Sequence, residues 1–379
     1  MKQKISQNII GVDIGTNYLR ACIKSDEVLD FIKMPSSGVQ NGNIVNEEEF
    51  ANSLLRLNNK IKKTYNIKKP RMVIGVSGDS LNSANLNISV NVTRHDSKVT
   101  ESDIVDIIEK NEDVYNTHNL TTLNHYIKKY RLNSKEYISA PIGHRGSKLE
   151  AKIFSVFTNT EQIKIIERVC HKLKLEIIDI VSSPLSEAYL LLDNKQKLAG
   201  VGVLHIGNTH SSLSVYENYN PIGVGSISIG TQDLDNEIAL ALKIPLEDAY
   251  EVRQGIKVTG YNKRKFDETL EKILIAWTDK VNSELDFIKR KELLPAGLLI
   301  IGNITDSMRL EIIFKSKMRL PIKLNNTILD NFNDYNIDST EWIRPLSLVI
   351  IDTNNNIYRR SNFSKIYDHI KELLCQFLP

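Results

Sequence analysis

Apolar positions along the 379-residue chain fall into short strand-like runs separated by helical stretches, and one opening pattern occurs twice. Ile9 to Lys24 reads as a glycine-punctuated hairpin of strands, and Met34 to Asn46 as an extended segment turning at Gly38 and Gly42. Phe50, Leu54, Leu55 and Leu57 then sit at helical spacing before a Lys-rich stretch, and Met72 to Val76 is a short buried strand closed by Ser77-Gly78. From about Asn82 to Phe157 the texture changes to polar alternating strands around a helix that starts at Thr100, where the hydroxyl can cap and Asp103 completes a capping box. This predicts a small inserted α+β subdomain. An amphipathic helix, Thr160 to Leu173, follows with Ile163, Ile166, Val169, Cys170 and Leu173 on one face, then a strand Ile177 to Val181 and a helix through Pro184. At Val201 to Tyr216 the glycine-turn hairpin returns. Two halves that each open on a glycine turn predict a duplicated α/β fold with a ligand cleft between its halves.

Composition narrows the function classes. The chain is 41% apolar and 25% charged, with 49 basic against 46 acidic side chains and a formal charge of +3, so a dedicated nucleic-acid binder is excluded. Cys22, Cys170 and Cys375 are widely spaced, with no CxxC and no His at ligand spacing; neither a disulfide framework nor a zinc site is predicted, and a reducing compartment fits. The polar run Met1 to Asn8 leads straight into a strand, which predicts no leader, and the longest unbroken apolar stretch, Ala296 to Ile301, is far short of the roughly 18 to 20 residues that span a bilayer. Any membrane contact is therefore expected to be peripheral.

Gly11-Val12-Asp13-Ile14-Gly15-Thr16 looks like the first phosphate loop of the actin, Hsp70 and sugar-kinase superfamily. Ser37-Gly38-Val39-Gln40-Asn41-Gly42-Asn43-Ile44 and Pro141-Ile142-Gly143-His144-Arg145-Gly146-Ser147-Lys148-Leu149-Glu150-Ala151 are similar to signatures of one family within it, FtsA. Ser182-Ser183-Pro184-Leu185-Ser186, Gly207, Gly230, Val252-Arg253-Gln254-Gly255 and Gly302 follow in the same order, so the resemblance runs from Ile9 to Ile351. It implies an actin-like two-lobed fold with an FtsA-type insertion. Residues 1–82 and 163–197, with 340–353 returning, would form the first lobe core, and 83–162 the inserted subdomain. Residues 198–240 and 295–339 would form the second lobe core, 241–294 a small partner-binding subdomain, 354–362 a linker and 363–379 an amphipathic helix. The family tethers FtsZ filaments, through the FtsZ C-terminal tail, to the cytoplasmic face of the cell membrane at the division site. Its members form head-to-tail filaments, recruit later divisome proteins for septum assembly, and bind ATP with Mg²⁺.

A nucleotide cleft of this kind needs glycines for close backbone approach to phosphate, hydroxyls as extra donors and a carboxylate for hydrated Mg²⁺. The resemblance assigns nucleotide binding to Asp13, Gly15, Thr16, Asn17, Gly207, Asn208, Thr209, Gly230, Asp248, Gly302 and Asn303, with Asp13 holding Mg²⁺ through water. The second loop departs from the pattern: His205 stands where the family has a second acid. A neutral imidazole cannot act as a hard anionic oxygen toward Mg²⁺ or an attacking water, so hydrolysis is expected to be weak or absent and no enzyme activity beyond a weak ATPase is expected. ATP binding through N–H donors of the two turns stays open, since the same glycines would also serve plain hairpin turns.

Near the end of the chain Phe363, Ile366, Tyr367, Ile370, Leu373, Leu374 and Phe377 recur at steps of three and four, flanked by Arg359, Arg360, Lys365 and Lys371. Such a helix suits an anionic membrane surface or a dock on the core; in FtsA the terminal helix is the membrane anchor. The region Lys257 to Lys265 is short for the family's partner subdomain, and Lys263, Arg264, Lys265 and Lys280 are the basic candidates for an acidic tail. A scaffold of type IV pilus assembly resembling PilM shares the inserted-subdomain plan, and a superfamily small-molecule kinase would need a further catalytic carboxylate and a sugar pocket.

Overall fold

The computed structural model describes residues 8–24, 29–67, 69–133, 137–138, 140–256, 259–302, 307–324 and 339–354. The chain opens with the antiparallel pair β1 (Ile9–Ile14) and β2 (Tyr18–Lys24), and β3 (Leu29–Pro35) adds to β2. A tight hairpin of β4 (Val39–Gln40) and β5 (Asn43–Ile44) follows, built on Gly38 and Gly42 at positive φ. Helix α1 (Glu47–Tyr65) starts where Asn46 Oδ1 accepts from the N–H groups of Glu48 and Glu49, the donors that a helix start leaves unpaired. It buries Phe50, Leu54, Leu57 and Ile61, whereas Leu55, expected on that face, is 38% exposed. Strand β6 (Arg71–Val76) then lies parallel to β1, buried along nearly its whole length, as an inner strand covered on both faces should be.

The insertion is one sheet and one helix. Strands β7 (Asn82–Asn91), β8 (Leu120–Leu132), β9 (Tyr137–Ile138) and β10 (Lys148–Asn159) form a sheet in the order β7-β10-β8-β9, all neighbours antiparallel, and α2 (Glu101–Asn116) joins β7 to β8. At its start the Asp103 carboxylate accepts from the Thr100 N–H at 2.7 Å, within the capping box expected there. Asn111 of α2, fully buried, donates to Ser155 Oγ at 3.0 Å and so satisfies a polar group that apolar surroundings would otherwise penalise.

Helix α3 (Thr160–Lys172), strand β11 (Glu176–Ser182), α4 (Ser183–Leu191) and α5 (Asn194–Ala199) complete the first lobe, whose sheet reads β3-β2-β1-β6-β11. The second lobe repeats it. Strands β12 (Val201–Ile206), β13 (Ser211–Glu217) and β14 (Asn220–Ile227) form the meander, α6 (Thr231–Leu242), α7 (Leu246–Arg253) and α8 (Lys263–Phe287) follow, and β15 (Leu298–Gly302), α9 (Ser307–Met318) and β16 (Ile322–Leu324) close a sheet of order β14-β13-β12-β15-β16. In each lobe the first strand pairs antiparallel with the second and parallel with the fourth of its sheet. Helix α8 begins at Asn262, whose side chain caps Lys265 N–H, earlier than its apolar pattern from Phe266 suggests. Leu270, Ile273, Leu274, Trp277, Val281 and Leu285 turn inward from it, each fully buried residue of this kind contributing ~1.5–3 kcal/mol.

After a single 3₁₀ turn at Thr340–Trp342, helix α10 (Ile343–Asn354) returns to the first lobe and packs on β1, β6 and α4. Two glycines allow that approach. A methyl group at Gly11 would run into the Pro345 carbonyl and sit 2.8 Å from Leu348 Cβ, and one at Gly75 would meet Ser183 and Leu348. The insertion packs on β14 of the second lobe, and one hydroxyl bonds it there twice: Ser83 Oγ donates to the Val224 carbonyl at 2.7 Å and accepts the Val224 N–H at 2.8 Å.

Candidate functional site

The two glycine turns face each other at one end of the two sheets and bound a cleft of ≈ 690 Å³, within the ordinary range for ligand sites. They are built alike. Gly15 N–H donates to the Tyr18 carbonyl at 3.2 Å, and Gly207 N–H to the His210 carbonyl at 3.1 Å. Both glycine donors are thus spent inside their own turns, which leaves Thr16 and Asn17 from one loop and Asn208 and Thr209 from the other as the loop residues that line the cleft. The hydroxyls of Thr16 and Thr209 lie 3.2 Å apart across the cleft. The start of α6 is likewise engaged: Thr231 N–H donates to Gly207, Gln232 N–H to Asn208, and the Asp233 carboxylate holds the N–H of the N-cap Gly230.

Asp13, 3% exposed, closes β1 and accepts from Ser183 Oγ at 2.9 Å. Opposite it, at the position where the resembling family has its second acid, His205 donates from Nδ1 to Glu187 Oε1 at 2.8 Å; a carboxylate partner fixes the proton on that nitrogen. The other Glu187 oxygen accepts from Arg344 Nε at 3.0 Å, and Arg344 Nη2 donates to Ser212 Oγ at 2.6 Å. Glu187 comes from α4, His205 and Ser212 from the second sheet and Arg344 from the start of α10, so one buried network joins three parts of the fold. Burial pushes the Glu187 carboxyl up, but Arg344 and His205 outweigh it and hold it below the usual carboxylate range. Burial, then Arg344, lower His205 despite the pull of Glu187, so the ring is neutral. The same two causes push His210, also in the cleft lining, down to about 4.

The outer wall is basic. Arg20 Nε at 3.2 Å and Lys33 Nζ at 2.8 Å both bond Glu341, and Lys33 Nζ stands 4.3 Å from the centre of the Tyr18 ring, a stacking partner for the cation. From α7 the lining takes Tyr250 and Arg253, the latter paired within the protein with Asp235 at 2.5 Å. Asp248 lies on the same helix but is not among the residues that line the cleft. Gly302 lines it at φ +126, a conformation open to glycine because a Cβ would collide with the Ile206 carbonyl. Asn303 lies outside the described residues.

A divalent cation finds few hard donors here. Among the described lining residues the carboxylates are Asp13, already accepting from Ser183, and Glu341, already held by Arg20 and Lys33. No group of three or more His, Cys, Asp or Glu among the described residues can hold a metal ion. Asp13 alone remains to hold Mg²⁺ through water.

The basic candidates for a partner tail do not form one patch. Lys263 and Arg264 line a shallow groove of ≈ 620 Å³ between α8 and α9 with Asp267, Glu268, Arg309 and Ile312, and Arg264 is already paired with Glu268 at 2.9 Å. Lys265 lies in the same first turn, whereas Lys280 is about 25 Å further along α8 at ~1.5 Å per residue and donates to the Ser228 carbonyl. Phe363, Ile366, Tyr367, Ile370, Leu373, Leu374 and Phe377 lie outside the described residues. Among the described residues no helix is long and apolar enough to cross a membrane. Cys22 and Cys170 are buried free thiols raised by that burial, Cys170 to about 12.

Two sheets of repeated topology, a cleft closed by their paired turns and an α+β domain inserted after the fourth strand of the first sheet define an actin-like fold of the inserted-domain type. The insertion matches the family described as the SHS2 domain inserted in FtsA, over residues 78–157. The chain is FtsA-like. It is 24% identical to the cell division protein FtsA of Pseudomonas aeruginosa over 322 residues, covering 78% of this chain and 77% of that one. To FtsA of Bacillus subtilis it is 22% identical over 276 residues, 72% of this chain and 63% of that protein. Among solved structures, the PilM-PilN type IV pilus biogenesis complex superposes with a TM-score of 0.63 at 14% identity, covering 90% of this chain and 97% of that one.

Proposed function

We propose that the protein works in cell division, attaching FtsZ filaments to the cytoplasmic face of the membrane at the division site, and that it does so as an ATP-binding filament former rather than as an efficient enzyme. The observation that carries this reading is the SHS2 insertion seated in an actin-like fold, together with FtsA likeness over about three quarters of the chain. The facing turns supply hydroxyl and backbone donors for phosphate, Arg20, Lys33 and Arg344 supply cations, and Asp13 is the residue for a hydrated Mg²⁺. With His205 neutral and held by Glu187, and Glu341 engaged by Arg20 and Lys33, the described lining residues offer no second free carboxylate to order an attacking water, which supports slow turnover. The groove between α8 and α9 would receive the filament tail; its cations Lys263, Arg264 and Arg309 are balanced by Asp267, Glu268 and Glu271, so contact with Ile312 and Ile313 carries more of the binding than net charge. The anchor is the terminal amphipathic segment Phe363 to Leu378, and head-to-tail self-association and later divisome proteins complete the partners.

The test is co-sedimentation with anionic liposomes, using FtsZ of the same organism and two forms of the protein, full-length and ending at Asn355. FtsZ should pellet with lipid only when the full-length protein is present. Lipid binding that leaves FtsZ in solution would move the reading to a PilM-like scaffold, and no lipid binding would remove the tether.

A further inference from the structure

On the second-loop side of the cleft the lining carries a neutral imidazole, His205, and beside it a fixed cation, Arg344. Arg344 spends two of its three guanidinium nitrogens on protein acceptors, Nε on Glu187 at 3.0 Å and Nη2 on Ser212 at 2.6 Å. No described residue accepts from Nη1, and the side chain, though only 9% exposed, is part of the cleft lining. Glu187 also holds His205, so both groups are fixed by one buried carboxylate. A guanidinium oriented in this way is suited to a phosphate oxygen, because its planar fork is already ordered and its charge is only partly hydrated. Lys33 and Arg20 extend the cationic surface along the wall. The metal, by contrast, is offered one carboxylate that already accepts a hydrogen bond.

Resting on the nucleotide reading above, we propose that the cleft holds the polyphosphate of a nucleoside triphosphate through Arg344, in the place a divalent cation takes elsewhere, so that nucleotide binding is independent of metal. Glu187 is the positioning residue for both Arg344 and His205. It contributes by fixing their geometry and does not itself meet the ligand.

Two measurements test this on the full-length protein freed of bound nucleotide. The first is titration of ATP by calorimetry in excess EDTA and again in excess Mg²⁺, with no variant required. The two dissociation constants should agree within about threefold; a gain of tenfold or more on adding Mg²⁺ would overturn the proposal. Absence of ATP binding in both conditions would overturn the nucleotide reading itself, and this inference with it. The second compares ATP with adenosine in Glu187→Gln/Arg344→Gln, a pair that removes both buried charges together and leaves neither stranded. ATP affinity in EDTA should fall about tenfold or more, the scale of a lost hydrogen bond to a charged group, while adenosine affinity stays within threefold. Unchanged ATP affinity would refute the role of Arg344. Should that variant not fold, Arg344→Lys serves instead, keeping the charge opposite Glu187 but losing the fork; ATP affinity in EDTA must then drop severalfold.

Discussion

The buried imidazole of His210 makes the protein sensitive to acid in a way that one substitution can isolate. Its Nδ1 is sealed from solvent with no hydrogen-bond partner among the described residues, and the ring is 9% exposed. Arg344 and His205 face it from the buried network, opposed by Asp79 and Asp13, and burial with Arg344 dominates, setting its pKa at about 4. In the unfolded chain the same ring titrates near ~6.5. Its folded pKa is the lower one, so its contribution is complete above about pH 6.5 and is lost as the pH falls toward about 4, where the folded ring also takes the proton. At ~1.36 kcal/mol per pH unit, the unfolding free energy drops by about 2 kcal/mol between pH ~7.5 and ~5 on account of this residue alone. Carboxylates and His205 add their own slopes, and comparison with His210→Gln cancels them. Urea unfolding of both proteins at the two pH values should show the wild type losing about 2 kcal/mol more than the variant. Parallel losses, within about 0.5 kcal/mol, would mean that the ring is solvated or paired and that the buried, neutral assignment is wrong.

Two further outcomes follow from packing and charge. Glu187→Ala leaves the Arg344 guanidinium buried without its counter-ion and should cost about 3–5 kcal/mol in urea unfolding; a loss below about 1 kcal/mol would show that water reaches the pair. Gly11→Ala places a methyl group against α10, 2.8 Å from Leu348 Cβ and 2.9 Å from Val349 Cγ2, and should cost about 1–3 kcal/mol by overpacking; an unchanged melting temperature would show that the helix stands further from β1.

Periodic elements were legible from the sequence because their signals are local. The twin hairpins, the inner strand at Met72 to Val76 and helix Thr160 to Leu173 lie within a residue or two of their observed bounds. So were the loop residues Asp13, Gly15, Thr16, Gly207 and Thr209, since a glycine turn that opens each half brings them to one cleft. The buried network was not. Its contacts Glu187–Arg344 and Arg344–Ser212 span 157 and 132 positions, and nothing local pairs such residues. What the sequence does offer is a lone acid in the apolar run Leu185 to Leu192 and a lone cation ahead of Pro345 to Ile351. A charge within a buried helix demands a partner, and that demand is the signal that was available. The Asp248 expectation missed for a simpler reason: position on a short helix does not say which of its faces meets the cleft, and Tyr250 and Arg253 took that face. The basic set from Lys263 to Lys280 was grouped by charge alone, whereas α8 spreads it along its length.

The return of α10 to β1 and β6 bears on how the molecule is made. The first lobe's sheet is covered by a helix that follows it far along the chain, with the insertion and the second lobe synthesised in between. Until residues 343–354 arrive, the Gly11 and Gly75 face of that sheet is an open apolar surface, while helices α6, α8 and α9, which come from the second lobe's own segment, can already cover one face of its sheet; the other face, with Val203, Leu299 and Ile301, joins the first lobe's core. A truncation ahead of Ile343 would leave the first lobe's sheet exposed along the face that α10 covers, a species inclined to aggregate.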